Sequence, residues 1–165
     1  MSEAIIKESV LYLTFRLEKE LLAIEVSQVR EVLDLCAITR VPRTPEYMRG
    51  VINLRGSVIP VIDLRLKFGL SHTESTIDAR IVVMEIELEG AVTVVGVLTD
   101  SVHDVIEIDT AEIDSSPQMG TRWRTEFIGG IGKYADQFIL LLDIDRVFSS
   151  KDLAMIPDGQ KERAA

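Results

Sequence analysis

The feature that most constrains this chain is internal repetition. Leu22-Ala-Ile-Glu-Val-Ser-Gln-Val-Arg-Glu-Val-Leu33 lies over Val95-Gly-Val-Leu-Thr-Asp-Ser-Val-His-Asp-Val-Ile106 without a gap, 73 residues further on. The hairpin before each stretch extends the match, with Leu13 over Ile86 and Phe15 over Leu88. Later, Gly50, Ile59, Asp63 and Phe68 lie over Gly130, Ile139, Asp143 and Phe148, now 80 residues on. Apolar alternation makes any two β segments look alike. The shared Val-x-x-Val beside an acidic residue and the ungapped run from Gly to Asp to Phe are harder to obtain that way. Two related β units, the second with a longer loop, must share 165 residues, and packing them together creates a groove where a partner can dock.

The local pattern is that of strands. Leu11, Leu13, Phe15 and Leu17 alternate with Tyr12, Thr14, Arg16 and Glu18, the period of two expected of a half-buried strand. Residues 18–20 are a polar turn and 21–25 a return strand. Ser27 is placed to cap a short helix carrying Val29, Val32 and Leu33. Pro42 and Pro45 then interrupt regular structure. Two β-branched runs flank Arg55-Gly56, a hairpin. Pro60 lacks a ladder donor, so its strand is an edge or bulged there. Residues 80–88 with 91–98, and 127–132 with 137–144, form two more hairpins. Between them, residues 109–126 read as a long polar loop holding Ser115-Ser116-Pro117. Residues 145–155 suggest a short closing helix and 157–165 a frayed tail. Strands dominate and helices are short, so the expected class is all-β, small barrels or sandwiches.

Charge and composition narrow the function. With 18 basic and 27 acidic residues the net charge is −9, which repels phosphate backbones and anionic membranes alike. Aromatics are only 5 %, too few for a base-stacking platform. The start of the chain lacks a basic segment followed by an apolar run, and no apolar stretch is long enough to span a bilayer. The single cysteine, Cys36, fits a reducing, cytoplasmic setting.

Chemistry is hard to find. His72 sits in a polar loop, and His103 follows Val102 on what the repeat makes a second short helix. Neither belongs to a metal or triad motif. Cys36, between Leu35 and Ala37, reads as a buried inert thiol rather than a nucleophile. No calcium loop, phosphate loop or metal-ligand cluster occurs, so no cofactor or metal is expected. A small hydrolase using Cys36 or His103 is the enzymatic alternative, and its activity would have to vanish in Cys36→Ala.

The binding signal lies in residues 40–67. Arg40, Arg43, Arg49, Arg55, Arg65 and Lys67 stand there against only Glu46 and Asp63. Either they form a basic patch that steers an acidic partner, or they scatter over separate faces. Arg55 is at the tip of the Asn53-Leu54-Arg55-Gly56 turn, where Gly56 supplies a tight bend and an arginine can grip a carboxylate with two nitrogens. By composition alone it is an ordinary turn arginine.

Taken together, Pro42-Arg-Thr-Pro45, Tyr47-Met-Arg-Gly50, Val51-Ile-Asn-Leu-Arg-Gly56 and Val58-Ile-Pro-Val-Ile-Asp-Leu64 closely resemble the signature of the CheW family of chemotaxis coupling proteins. Val26-Ser-Gln-Val-Arg-Glu-Val32, Gly96-Val-Leu-Thr-Asp-Ser-Val-His-Asp-Val105 and Phe127-Ile-Gly-Gly-Ile-Gly132 match in order, so the resemblance spans residues 8–153, with 154–165 a tail. It implies two SH3-like five-stranded β-barrel subdomains, interleaved or side by side, packed on a shared core. It implies no catalysis and no cofactor. The implied role is an adaptor that links the cytoplasmic tips of methyl-accepting chemoreceptors to the regulatory domain of the histidine kinase CheA and helps build signalling arrays. The alternative within the family is an adaptor of a non-flagellar system controlling pili or development. Carried over position by position, receptor contact falls on Val29, Glu31, Gly50 and Arg55. Each has a plainer reading: Val29 as core, Glu31 as a cap, Gly50 as backbone shape, Arg55 as a brace for the groove. Trp123, between Arg122 and Arg124, is outside the family signature and is a possible interface anchor for a partner.

Overall fold

The computed structural model describes residues 8–88, 90–114 and 127–148. Its strands are β1 (Ser9–Leu17), β2 (Glu20–Glu25), β3 (Val29–Asp34), β4 (Met48–Leu54), β5 (Ser57–Asp63), β6 (Arg80–Leu88), β7 (Ala91–Thr99), β8 (Ser101–Asp109), β9 (Ile128–Tyr134) and β10 (Gln137–Leu142). Two four-residue helices, α1 (Leu64–Lys67) and α2 (Ile144–Val147), follow β5 and β10. The fold is mostly β, as expected.

The strands form two five-stranded sheets. The first runs β8-β1-β2-β10-β9 and the second β3-β6-β7-β5-β4. Replacing each strand by its repeat partner, β1 by β6 through β5 by β10, turns one order into the other. Each sheet bends back on itself. Thr39, just beyond β3, exchanges two 2.8 Å hydrogen bonds with Val51 of β4; Asp114, beyond β8, does the same with Ile131 of β9 at 2.8 and 3.0 Å. The chain leaving one end strand thus meets the other, which hides edges that would otherwise template aggregation.

Three apolar clusters follow from this closure. Tyr12, Ala23, Ile106, Ile108, Ile139 and Leu141 fill the first sheet's interior. Ile52, Ile59, Val61, Ile81, Val83 and Leu98 fill the second's. The largest cluster lies between the sheets, with Phe15, Leu22 and Ile24 from one, Ile62, Met84 and Val97 from the other, and Phe68, Phe127 and Phe148 beside them. Alternate residues of β10 show the division: Ile139 and Leu141 point inward, Leu140 and Leu142 to the shared core. Pushing apolar area into three compartments stabilises by about 25 cal/mol per Å² buried.

Five sequence expectations need correction. The repeat offset of β1 onto β6 is not 73. Ala23 matches Gly96 through their parallel partners Leu141 and Val61, and their hairpin partners are Thr14 and Val83. Phe15 therefore matches Met84, 69 residues on. The 73 offset holds for β2 onto β7 and β3 onto β8, and 80 for β4 and β5 onto β9 and β10.

The helix capped by Ser27 is instead a single 3-10 turn, Val26–Gln28, followed at once by β3. Val29 and Val32 join the ladder with β6, which suits their β-branched side chains. By the same repeat, His103 lies on β8 rather than on a helix. Cys36 is exposed, not buried, because the alternation that tucks Leu35 against the second barrel turns its neighbour outward.

A fifth correction concerns Pro60: β5 is neither an edge nor bulged there, since it lies between β7 and β4 and the irregularity in its pairing falls between Met48 and Gly50. Val51 directs both backbone groups at Thr39, so the Val51–Pro60 pair needs no ladder bond from Pro60. Pairing of β5 with β7 begins only at Val61. The closing helix is α2, and residues 149–155 lie outside the described residues.

Candidate docking site

The β4–β5 hairpin is closed by two residues, Arg55 and Gly56, with φ of 49° and 87°. Positive φ at both positions defines the type I′ turn that matches strand twist. Asn53 Oδ1 accepts the Gly56 N–H at 2.9 Å and fixes the bend. The corresponding β9–β10 turn, Ala135-Asp136, also has both φ positive. The turn geometry is therefore shared by the repeats, and only its side chain distinguishes Arg55.

Glu31 reaches that side chain because of a β-bulge. Val29 pairs with Met84 and Glu31 with Val83, so Arg30 is an extra residue. The bulge flips parity. Val29 faces the shared core with Met84, while Glu31 faces the second barrel's interior side with Val83. There both Glu31 oxygens meet the two terminal nitrogens of Arg55, a bidentate pair. Arg55 is 72 % exposed and Glu31 27 %. The pair joins β3 to the β4–β5 hairpin, the two ends of one sheet, so it braces the closure and still presents a guanidinium to solvent.

The other expected residues divide by role. Gly50 has φ of 142°, and a Cβ there would overlap the Thr39 carbonyl oxygen; it is needed for backbone approach. Val29 is half-buried on the shared core, on the opposite face of β3 from Glu31. Leu54 packs against the second barrel's interior. Trp123 lies outside the described residues.

The basic run of residues 40–67 does not act as one patch. Arg49 pairs with Asp63 at 3.2 Å, Arg55 with Glu31, Arg65 with Asp100 at 3.0 Å and Glu18 at 3.2 Å. Lys67 lies 4.2 Å over the Tyr47 ring. Arg40 and Arg43 are exposed on the link from β3 to β4.

Two polar centres were not singled out by sequence reasoning. Asp63 is fully buried; its carboxylate accepts from Arg65 N, Thr73 N, Thr73 Oγ1 and Arg49 Nη1 at 2.7–3.2 Å. A buried carboxylate persists only with donors of this kind. The other centre is Arg65. An Asp directly before a helix that follows a strand is a capping signal and could have marked the first; nothing local marks the second. Elsewhere, burial first and Glu25 across the ladder second push the Tyr12 phenol above its ordinary 10.0. Among the described residues no cluster of His, Cys, Asp or Glu could hold a metal, and no helix is long and apolar enough to cross a membrane.

The paired barrels, the repeated turn and the braced arginine set the comparison with known proteins. The family model of the CheW-like domain matches residues 11–152. The chain belongs to the CheW-like family. It is similar to the chemotaxis protein CheW of Klebsiella aerogenes, 33 % identical over 153 residues, covering 91 % of this chain and 88 % of that one. Chemotaxis protein CheW of Bacillus subtilis is 34 % identical, with 82 % and 85 % covered. Protein FrzA of Myxococcus xanthus is 32 % identical, with 76 % of each covered. Among solved structures, the scaffolding protein TtCheW of Thermoanaerobacter tengcongensis superposes with a TM-score of 0.77 at 34 % identity, covering 92 % of this chain and 96 % of that one. In this CheW-like chain only one repeat carries the ion pair: Ala135 stands where Arg55 does and Asp104 where Glu31 does.

Proposed function

We propose that this chain is a non-catalytic cytoplasmic adaptor that couples methyl-accepting chemoreceptors to the regulatory domain of CheA and helps build their arrays. The observation that carries the reading is the Arg55–Glu31 pair, which holds an arginine at a rigid hairpin tip yet leaves it largely open. A fixed guanidinium loses little entropy when it meets a partner carboxylate or carbonyl. Arg55 and Glu31 form the receptor contact. Gly50, Asn53 and Gly56 shape it, and Val29 adds an apolar surface one strand face away. Coupling requires that the adaptor's contacts differ between the receptor's two signalling states.

Binding of the purified protein to a CheA regulatory domain and to a receptor-tip fragment tests this, with wild type and Arg55→Glu side by side. Wild type binds both, and the variant loses the receptor while keeping the kinase. If neither partner binds wild type, the coupling role is wrong; if Arg55→Glu keeps full receptor affinity, the site is wrong. The similarity to FrzA favours a second reading, an adaptor of a non-flagellar chemosensory system. A kinase and receptor from such a system would then bind more tightly than flagellar ones.

A further inference from the structure

Among the described residues, polar side chains fasten the two sheets at two equivalent places, and the fasteners are unequal. Arg65 stands in α1, attached to β5 of the second sheet. It is 13 % exposed. Its guanidinium donates to both Asp100 oxygens at 3.0 and 3.2 Å, to Glu18 Oε2 at 3.2 Å, and to the Ser71 carbonyl and hydroxyl at 3.0 and 2.7 Å. Glu18 lies in the β1–β2 turn of the first sheet. Asp100 is the single residue joining β7 of one sheet to β8 of the other, and it also accepts the Glu18 amide. One cation thus ties a helix, a turn and a crossover together.

The repeat places Asp145 of α2 where Arg65 stands and Glu87 where Glu18 stands. Gln28 lies at the matching crossover, between β2 and β3. Here an exposed carboxylate receives two long contacts on one oxygen, 3.4 Å from the Glu87 amide and 3.5 Å from Gln28 Nε2. Both are at the limit of hydrogen bonding. Side chains from both helices, Leu64 from α1 and Ile144 and Val147 from α2, enter the same shared core, so the fasteners sit on either side of one apolar layer.

We propose that the two sheets open against each other unevenly, pivoting on the Arg65 clasp and parting first at the Asp145 side. Local opening follows the contacts it must break. Three bonds of 3.0–3.2 Å from the Arg65 guanidinium to the Asp100 and Glu18 carboxylates cross between the sheets and resist at one end, while the two to Ser71 stay within the second. Among the described residues, two marginal bonds to a solvated carboxylate resist at the other. Val29 directly follows Gln28, so it is among the first core side chains uncovered. This motion does not depend on what docks there.

Native-state hydrogen exchange by NMR on the whole chain tests the idea. Reporter amides are Glu18 and Phe68 beside the clasp, and Glu87 and Arg146 at the other end. In wild type the Glu87 and Arg146 amides exchange about tenfold faster or more, relative to their intrinsic rates, than Glu18 and Phe68. Arg65→Met removes the difference by accelerating Glu18 and Phe68 alone. Should Arg65→Met fail to fold, Asp100→Asn shifts the same two amides in the same direction. Equal protection at both ends in wild type, or a variant that accelerates all four alike, overturns the proposal.

Discussion

Gly50→Ala should be among the most damaging small substitutions in this chain, and its cost can be worked from two contributions. At φ of 142° an alanine sits in a region essentially reserved for glycine, at about 1–3 kcal/mol. The new Cβ would overlap the Thr39 carbonyl oxygen and lie 2.7 Å from its carbonyl carbon and 3.0 Å from Arg40 Cα. These are backbone atoms, so no rotamer relieves the clash. Thr39 must withdraw from Val51, losing two 2.8 Å bonds at about 1 kcal/mol each. The total is about 3–5 kcal/mol, a large share of the roughly 5–15 kcal/mol a domain has. Gly130→Ala is the control, because it occupies the same place in the other repeat. Its Cβ would meet the Ile113 methyl at 2.6 Å and Asp114 O at 3.3 Å. Ile113 Cγ2 sits on a stiff β-branched carbon and gives only by a shift of that residue, so about 1–3 kcal/mol is expected, without the left-handed strain or the backbone clash. Urea unfolding followed by circular dichroism, with the m-value compared between variants, measures both. If Gly50→Ala lost less than about 1 kcal/mol, or no more than Gly130→Ala, the closure reasoning would be refuted.

Arg55→Ala should cost no more than about 1 kcal/mol in the same unfolding assay, because the arginine end of its ion pair is largely exposed; a larger loss would make Arg55 structural. Thr14→Val should cost about 1–3 kcal/mol despite its similar shape, since the Thr14 hydroxyl both donates to the Asp104 carbonyl at 2.8 Å and accepts from its amide at 2.9 Å. Thr14→Ser should recover most of that, and equal thermal stability of wild type and Thr14→Val would contradict it. Tyr12 is raised by burial, so its contribution is complete below pH 10.0 and is lost as pH rises from there through the folded-state value. Stability measured from pH 9 upward should decline less steeply in Tyr12→Phe, and parallel curves would count against the assignment.

Much of this fold was legible in the sequence, and what was not has physical causes. The hairpins follow from their turn residues; Pro60 does not mark an edge, because its missing donor falls at a pair with no ladder bond to make and before the pairing with β7 begins. The offset of β1 onto β6 could not be read, because 69 and 73 differ by four. A period of two keeps the same parity over four residues, and only the pairing partners decide. The supposed helix after Ser27 came from the three-residue interval between Val29 and Val32. A bulge at Arg30 produces that interval in a strand by adding one residue. Cys36 was misplaced because its inside or outside position depends on where the barrel's inner face falls. Glu31 and Arg55 were both named through family resemblance, yet their contact was not legible. It spans 24 residues and exists only because the sheet closes.

The strand orders also set a sequence of events as the chain emerges from the ribosome. Every strand of the second sheet lies between Val29 and Thr99, whereas the first sheet needs β1 and β2 from the start and β8 to β10 from the end. A lone two-stranded hairpin is marginal in water. Synthesis runs from the N-terminus, so β1 and β2 emerge first and wait longest. The second sheet can assemble as soon as β7 is made, while the first remains a hairpin whose interior face, Tyr12 and Ala23, still lacks Ile106, Ile108, Ile139 and Leu141. Newly made chains should therefore be vulnerable to aggregation through β1–β2 until β10 arrives.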